Sequence, residues 1–380
     1  MNCNDLGIYI HIPFCTKRCL YCDYTSFTNL ELIEKYFDTL QKEIILKSRE
    51  SKSFKIKTIY LGGGTPSIIK TDLIEDIFFT LLNNYDINSL EEFTIEVNPE
   101  SVREDKLSFY KSIGINRISI GFQSTTNEIL KKVGRIHRFE EEIRAFSLLK
   151  KYFDNINVDF ILGLPGENTN TVAKNLEFIQ NFQPSHISYY LFDASHDTPL
   201  KFLLNDGKMY LPDEDFLAGQ LDLIDNFLKN INYKHYEISS WALLSKESMH
   251  NKLYWHNLNY QGFGISAGGH VNNFRYVNTS SINNYIKYIN EGVFPYEYQN
   301  SNDSFHELIE TLFMGLRLLD GINYVSLVNR FGKTLTDKVI EDLKKNLENY
   351  ICIKDNHIKL SKKGLDYSRY VFEKLLDITY

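Results

Sequence analysis

The chain is 380 residues long, with 43% hydrophobic and 24% charged residues, the balance of a folded globular protein with more than one domain. Its 42 basic and 49 acidic residues leave a net charge of −7, which argues against a broad nucleic-acid-binding surface. No segment has the length and apolarity of a membrane span, the start MNCNDLG lacks the basic and apolar runs of a signal peptide, and five cysteines, an odd number with three of them clustered, argue against a disulfide framework in a long chain with no export signal, so a reducing cytoplasmic setting is expected.

GIYIHIP (7–13) reads as a short strand stopped by Pro13. It runs straight into CTKRCLYC, which sets Cys15, Cys19 and Cys22 at C-x3-C-x2-C spacing. Three thiolates leave a tetrahedral zinc site one ligand short, although His11 or Asp23 could supply the fourth. They also suit three irons of a cubic iron–sulfur cluster whose fourth iron stays open. Three unrelated thiols are the remaining reading. Apolar residues at helical spacing fill 29–48, and KTIYLGGGTPS (57–67) reads as a buried strand entering a glycine turn at Gly62, Gly63, Gly64 and Thr65. The alternation continues: a helix over 72–84, a strand at 91–99, a helix over 102–112, a strand at 116–124, a helix over 138–152, a strand at 156–167, a helix over 169–181 and a strand at 185–192.

Six strand–helix repeats imply parallel βαβ units, too few for a closed eight-stranded barrel. The expected fold is therefore α/β, a partial (β/α)6 TIM-like barrel over residues 1–200, with its polar residues at the C-terminal strand ends. An amphipathic helix (213–230), a strand (235–240) and a glycine-rich loop (262–270) suggest a mixed α/β extension over 201–297. A linker is expected near 296–304. Three helices, the hairpin ICIKDNHIKLS and a last helix then suggest a small winged-helix-like domain over 298–380. Its lysines, among them Lys344, Lys345 and Lys359, are interspersed with acids, so partner docking or covering of the substrate is expected there and not DNA binding.

CTKRCLYC, followed in order by GGGTP, EVNPE, SIGFQS, GRIH and NVDFILGLPGE, resembles the radical S-adenosylmethionine (SAM) family. Within it, the chain is most similar to the branch that holds the oxygen-independent coproporphyrinogen III dehydrogenases and the related heme chaperones. The resemblance implies a [4Fe–4S] cluster on Cys15, Cys19 and Cys22, with SAM chelating the open iron. It further implies that Tyr9 lies near SAM, that Gly63, Gly64 and Thr65 meet its amino group, that Glu96 meets the ribose or amino group, and that Gln123, Arg135 and Asp159 make further SAM contacts. Such residues suit a ligand that carries an ammonium, a carboxylate and ribose hydroxyls. Taken singly, Glu96 and Asp159 also read as ordinary charges at strand ends, and Gln123 as a turn residue.

Several features bear on the branch. Tyr24 stands where the dehydrogenases carry a further cysteine, and only eight residues precede Tyr9, where the dehydrogenases have an extension. HNKLYW (250–255) resembles the HNxxYW motif of the chaperone branch, and YEISSWA (236–242) and YQGFGISAGGH (260–270) point the same way. The resemblance thus implies a chaperone that binds heme and delivers it to acceptor proteins, membrane-bound respiratory proteins being one class. His250 is its expected axial ligand, with His256, His270, Cys3 and Cys352 as alternatives. Tyr254 and Trp255 would stack on the macrocycle or simply pack in the core. The competing expectation is oxidative decarboxylation of coproporphyrinogen III; a different radical-SAM activity is a third.

Overall fold

A computed structural model of the chain describes residues 4–378. Six strands lie side by side in chain order, all parallel: β1 (Asp5–Ile12), β2 (Lys55–Gly63), β3 (Glu92–Val97), β4 (Arg117–Gln123), β5 (Ile156–Leu162) and β6 (His186–Leu191). The helices Ile33–Ser48, Thr71–Asn84, Glu104–Ser112, Phe139–Leu149 and Thr169–Phe182 connect them, and a short helix the sequence does not announce, Asn127–Lys132, follows β4.

Side-chain alternation explains why this sheet has an interior worth lining. Ile8, Ile10 and Ile12, then Ile59 and Leu61, Phe93 and Ile95, Ile118 and Ile120, and Val158 and Phe160 all sit in one apolar core, packed with helix residues such as Phe37, Leu40 and Phe146. The alternate positions fall on the opposite face. They read Tyr9 and His11, Tyr60 and Gly62, Glu92 and Glu96, Arg117 and Ser119, Asn157 and Asp159, His186 and Ser188. A parallel sheet covered by helices on both faces reads apolar throughout; this one is apolar toward the helices and polar within.

Residues 234–301 extend both edges of the same sheet. β7 (Lys234–Glu237) and β8 (Ser240–Ala242) add antiparallel beyond β6. β9 (Tyr260–Phe263) pairs parallel with β1, and β10 (Gly268–Val271), β11 (Phe274–Asn278) and β12 (Tyr296–Ser301) follow antiparallel. Among the described residues the result is a twelve-stranded open sheet, with β12 and β7 at its ends. Two expectations are corrected here. Within the stretch 262–270 only 264–267 is a loop; its two ends belong to β9 and β10, and glycine is required there: a Cβ on Gly262 would lie 2.0 Å from the Gly268 carbonyl oxygen. The polar run 296–304 is not a linker, because β12 occupies most of it.

The helix Met249–Trp255, which carries HNKLYW, is bound to the N-terminal ends of the strands. The Glu92 carboxylate accepts from the Met249 and His250 amides at 2.9 and 3.1 Å, and Ser248 caps the helix by accepting from Asn251 N. The C-terminal residues form a separate core, including Leu312, Leu343, Ile358 and Val371. Its helices are Ser304–Gly315, Tyr324–Phe331 and Lys333–Leu347, and its small sheet consists of β13 (Ile322–Asn323), β14 (Ile351–Lys354) and β15 (His357–Leu360). Two short helices, Lys362–Asp366 and Ser368–Leu376, end the chain where a single one is expected. Among the described residues no helix is long and apolar enough to cross a membrane.

Candidate functional site

The cysteine loop leaves the end of β1 and is fixed by backbone bonds on several sides. Cys15 N donates to Phe27 O at 2.9 Å, Leu20 N to Val133 O at 2.9 Å, and Leu200 N to Leu20 O at 2.8 Å. The glycine turn after β2 closes against it. A Cβ on Gly64 would stand 2.8 Å from the Phe14 carbonyl oxygen and 2.9 Å from its amide nitrogen, so a residue with any side chain would push turn and loop apart. Thr65 Oγ1 donates to Cys15 Sγ at 3.4 Å, and Arg135 reaches Cys19 Sγ at 3.7 Å.

These elements border a cavity of about 330 Å³ at the C-terminal ends of the strands. Of the residues expected from sequence, Cys15, Cys19, Cys22, Gly63, Gly64, Thr65, Glu96, Gln123, Arg135 and Asp159 all line it. Gln123 sits at a register shift between β4 and β5 with φ of 72°, which turns its side chain back over Gly121. Arg135 is held by Asn98 Oδ1 at 3.1 Å and the Gly121 carbonyl at 2.6 Å.

Two expected residues are placed elsewhere. Tyr9 does not line the cavity: its hydroxyl bonds to His11 Nδ1 at 3.0 Å, one layer below. Tyr60, its in-register neighbour on β2, lines the cavity instead and donates to Glu96 at 2.8 Å. His250 is buried at the other end of the sheet, 1% exposed. Its Nδ1 bonds to Thr58 Oγ1 at 2.6 Å and its Nε2 to Tyr254 Oη at 2.7 Å. Burial, with the Arg117 guanidinium nearby, pushes its pKa down to about 3. As folded, this neutral ring offers iron no free nitrogen, so the geometry gives the expected heme-ligand role no support. Of the alternatives, His270 is also buried and bonded on both nitrogens, to Leu258 O and Glu307. Cys3 lies outside the described residues.

Sequence reasoning missed Tyr60, Asn98, Ser119 and Tyr190 as lining residues. The signal for Tyr60 and Ser119 was present, since strand alternation puts each on the same face as the strand-end glycine two positions on, Gly62 or Gly121.

The electrostatics favour a cation. Glu96 and Asp159 are half-buried, and neither forms an ion pair among the described residues; their partners are Tyr60, Gly63 N, Ser119 and Asn157. Burial raises both pKa values, that of Glu96 to about 7, and the Asp159 charge adds to the Glu96 shift. A ligand bearing an ammonium and a sulfonium supplies the countercharge these carboxylates lack. The thiols suit a cluster better than a single ion. Among the described residues, the one set of three potential ligands whose donor atoms all lie within 4.8 Å is His270, Glu307 and Glu310, so the cysteine sulfurs are spread more widely than tetrahedral zinc allows. His11, a potential fourth zinc ligand, is occupied by Tyr9 and by Thr25 O. Burial raises the thiols of Cys15 and Cys22, the latter to about 11, so metal binding there displaces protons.

Comparison with known proteins agrees with this geometry. Residues 9–179 match the radical SAM superfamily and residues 306–367 the HemN C-terminal domain. The chain is 30% identical to the heme chaperone HemW of Bacillus subtilis (strain 168) over 88% of this chain and 90% of that one. It is 32% identical to the heme chaperone HemW of Lactococcus lactis subsp. lactis (strain IL1403), covering 97% and 96%. The solved structure of coproporphyrinogen III oxidase (HemN) from Escherichia coli superposes with a TM-score of 0.85, at 20% identity, over 98% of this chain and 90% of that one, which shows the shared fold. Radical SAM membership implies a [4Fe–4S] cluster and SAM, and the thiols and unpaired carboxylates of the cavity fit both. The chain belongs to the HemW family of heme chaperones, within the radical SAM superfamily.

Proposed function

We propose that this chain is a heme chaperone of the cytoplasm that holds a [4Fe–4S] cluster and SAM at the C-terminal mouth of its sheet and passes heme, its cargo, to acceptor proteins, some of them at the membrane. The observation that carries the reading is the near full-length similarity to heme chaperones, joined to a cavity in which ten expected cofactor residues converge. Cys15, Cys19 and Cys22 are the cluster ligands in this reading. Glu96 and Asp159 hold the ammonium or ribose hydroxyls of SAM, Gly63, Gly64 and Thr65 line its approach, and Gln123 closes one side. Arg135, half-buried between Asn98 and Cys19, offsets thiolate charge and can reach a carboxylate. Tyr60 takes the place first expected for Tyr9, orienting Glu96 through its hydroxyl. A cluster held by Cys15, Cys19 and Cys22 would, when reduced, offer SAM one-electron chemistry; the exposed Tyr24 at the cavity mouth stands where the dehydrogenase branch has a cysteine.

Glu96 gives the SAM site a pH dependence with a defined sign. Its carboxyl is ionised above about 7 and protonated below. A cationic ligand prefers the ionised form, so binding below that pH requires proton loss, and affinity falls toward about tenfold per pH unit. Isothermal titration of SAM into anaerobically reconstituted protein between pH 5.5 and 8.5 checks this. Glu96→Gln should weaken binding at pH 8 and flatten the slope; an unchanged slope in that variant would assign the titration elsewhere.

A further inference from the structure

A second and larger cavity, of about 650 Å³, lies in the seam between the helix Met249–Trp255 and the C-terminal unit. Its size falls in the range of cofactor and ligand sites. Each side of the seam contributes one imidazole and one cation: His256 and Lys252 from the sheet side, His357 and Arg330 from the C-terminal side. Trp255 and Leu327 supply apolar wall.

Resting on the reading that the chain carries heme, we propose that this seam cavity is the tetrapyrrole site, with His256 and His357 as nitrogen donors to iron and Lys252 facing a propionate, while Arg330, paired with Glu307 at 2.5 Å and donating to Asn257 O at 3.1 Å, fixes the facing wall. Unlike His250 and His270, both histidines have a nitrogen to give. His256 is exposed, and neither of its ring nitrogens has a hydrogen-bond partner among the described residues. His357 Nδ1 donates to the Asp355 carbonyl at 2.9 Å, the arrangement that orients a ring and leaves Nε2 for a metal. The Trp255 indole presents a flat apolar face, and its buried Nε1 lacks a partner.

The acids in the wall are already neutralised, Glu247 by Lys252 at 2.5 Å and Asp320 by Lys234 at 2.7 Å, so a propionate at Lys252 exchanges one carboxylate partner for another. A site built half from each unit opens if the C-terminal unit shifts. That suits a ligand which must leave for an acceptor better than a permanently enclosed cofactor.

The test is a titration of ferric heme into the full-length, cluster-loaded protein, followed by the Soret band. Wild type should bind one heme per chain. His256→Ala and His357→Ala, both at accessible positions that spare the core, should each weaken binding by at least about tenfold and shift the band. His250→Ala, where it folds, should retain the wild-type band. Metal-free protoporphyrin IX needs no axial ligand, so it should bind the histidine variants normally but be excluded by Ser326→Trp, which fills the cavity from an exposed wall position. Unchanged heme spectrum and affinity in the His256→Ala/His357→Ala double variant would overturn the site while leaving the chaperone reading intact. A wild-type protein that binds no heme would overturn the chaperone reading itself, and the site with it.

Discussion

Alanine at any one of Cys15, Cys19 and Cys22 is expected to lower the iron content of the anaerobically reconstituted protein from about four atoms per chain to near none. Three thiolates are the minimum that leaves one iron open, and among the described residues the one further thiol, Cys352, is on β14 in the C-terminal sheet. The polypeptide itself should remain folded. The loop is held by backbone bonds from Cys15, Leu20 and Leu200 that do not involve the sulfurs, and its base packs on Phe14 at the sheet end. Iron analysis with circular dichroism on the same samples separates the two effects. A single-cysteine variant that keeps a full cluster would remove that residue from the ligand set; one that unfolds would show the loop to be structural.

Glu92→Ala is expected to be the most destabilising single change at the opposite end of the sheet, by about 3–5 kcal/mol. The carboxylate is buried, 3% exposed, and accepts from the first amides of the HNKLYW helix. It also supplies the leading countercharge to Arg117, which is buried at 1% exposure and held charged against desolvation chiefly by Glu92. Removing it leaves a buried guanidinium uncompensated and the helix N-terminus unpaired. A drop in Tm of at least about 5 °C should follow. Glu92→Gln, which keeps the acceptor oxygen, should lie between the variant and wild type. A loss under about 1 kcal/mol would mean the helix is held by apolar packing alone. The same comparison bears on the HNKLYW motif: if its conspicuous residues close the base of the sheet, Glu92→Ala and His250→Ala should perturb stability alike, and any heme loss in either should track unfolding.

The two ends of the sheet differ in how much of them the sequence could reveal. At the mouth, cysteine spacing, glycine turns and carboxylates at successive strand ends are local features, and the fold gathers them as parallel strands must. Tyr9 and Tyr60 show where that reasoning stops. Both occupy inward positions on neighbouring strands, and only the pairing register and the presence of His11 beside Tyr9 decide which hydroxyl meets Glu96. His250 was conspicuous as part of a motif, yet its environment comes from Thr58 and Glu92, 192 and 158 residues away in the chain, a distance over which no local pattern operates. β9 to β12 were hidden for a different reason. Glycine crowds one part, and β12 is an edge strand with polar residues on both faces, so it carries no alternation.

The central claim, that this fold carries heme and does not process its precursor, is tested most directly in one reconstituted sample divided in two. One half is titrated with heme; the other receives coproporphyrinogen III, SAM and a strong reductant under anaerobic conditions, with porphyrin products separated by chromatography. Stoichiometric heme binding is expected in the first and no protoporphyrinogen IX in the second. Steady formation of protoporphyrinogen IX with consumption of SAM would contradict that claim and make the chain an oxidative decarboxylase.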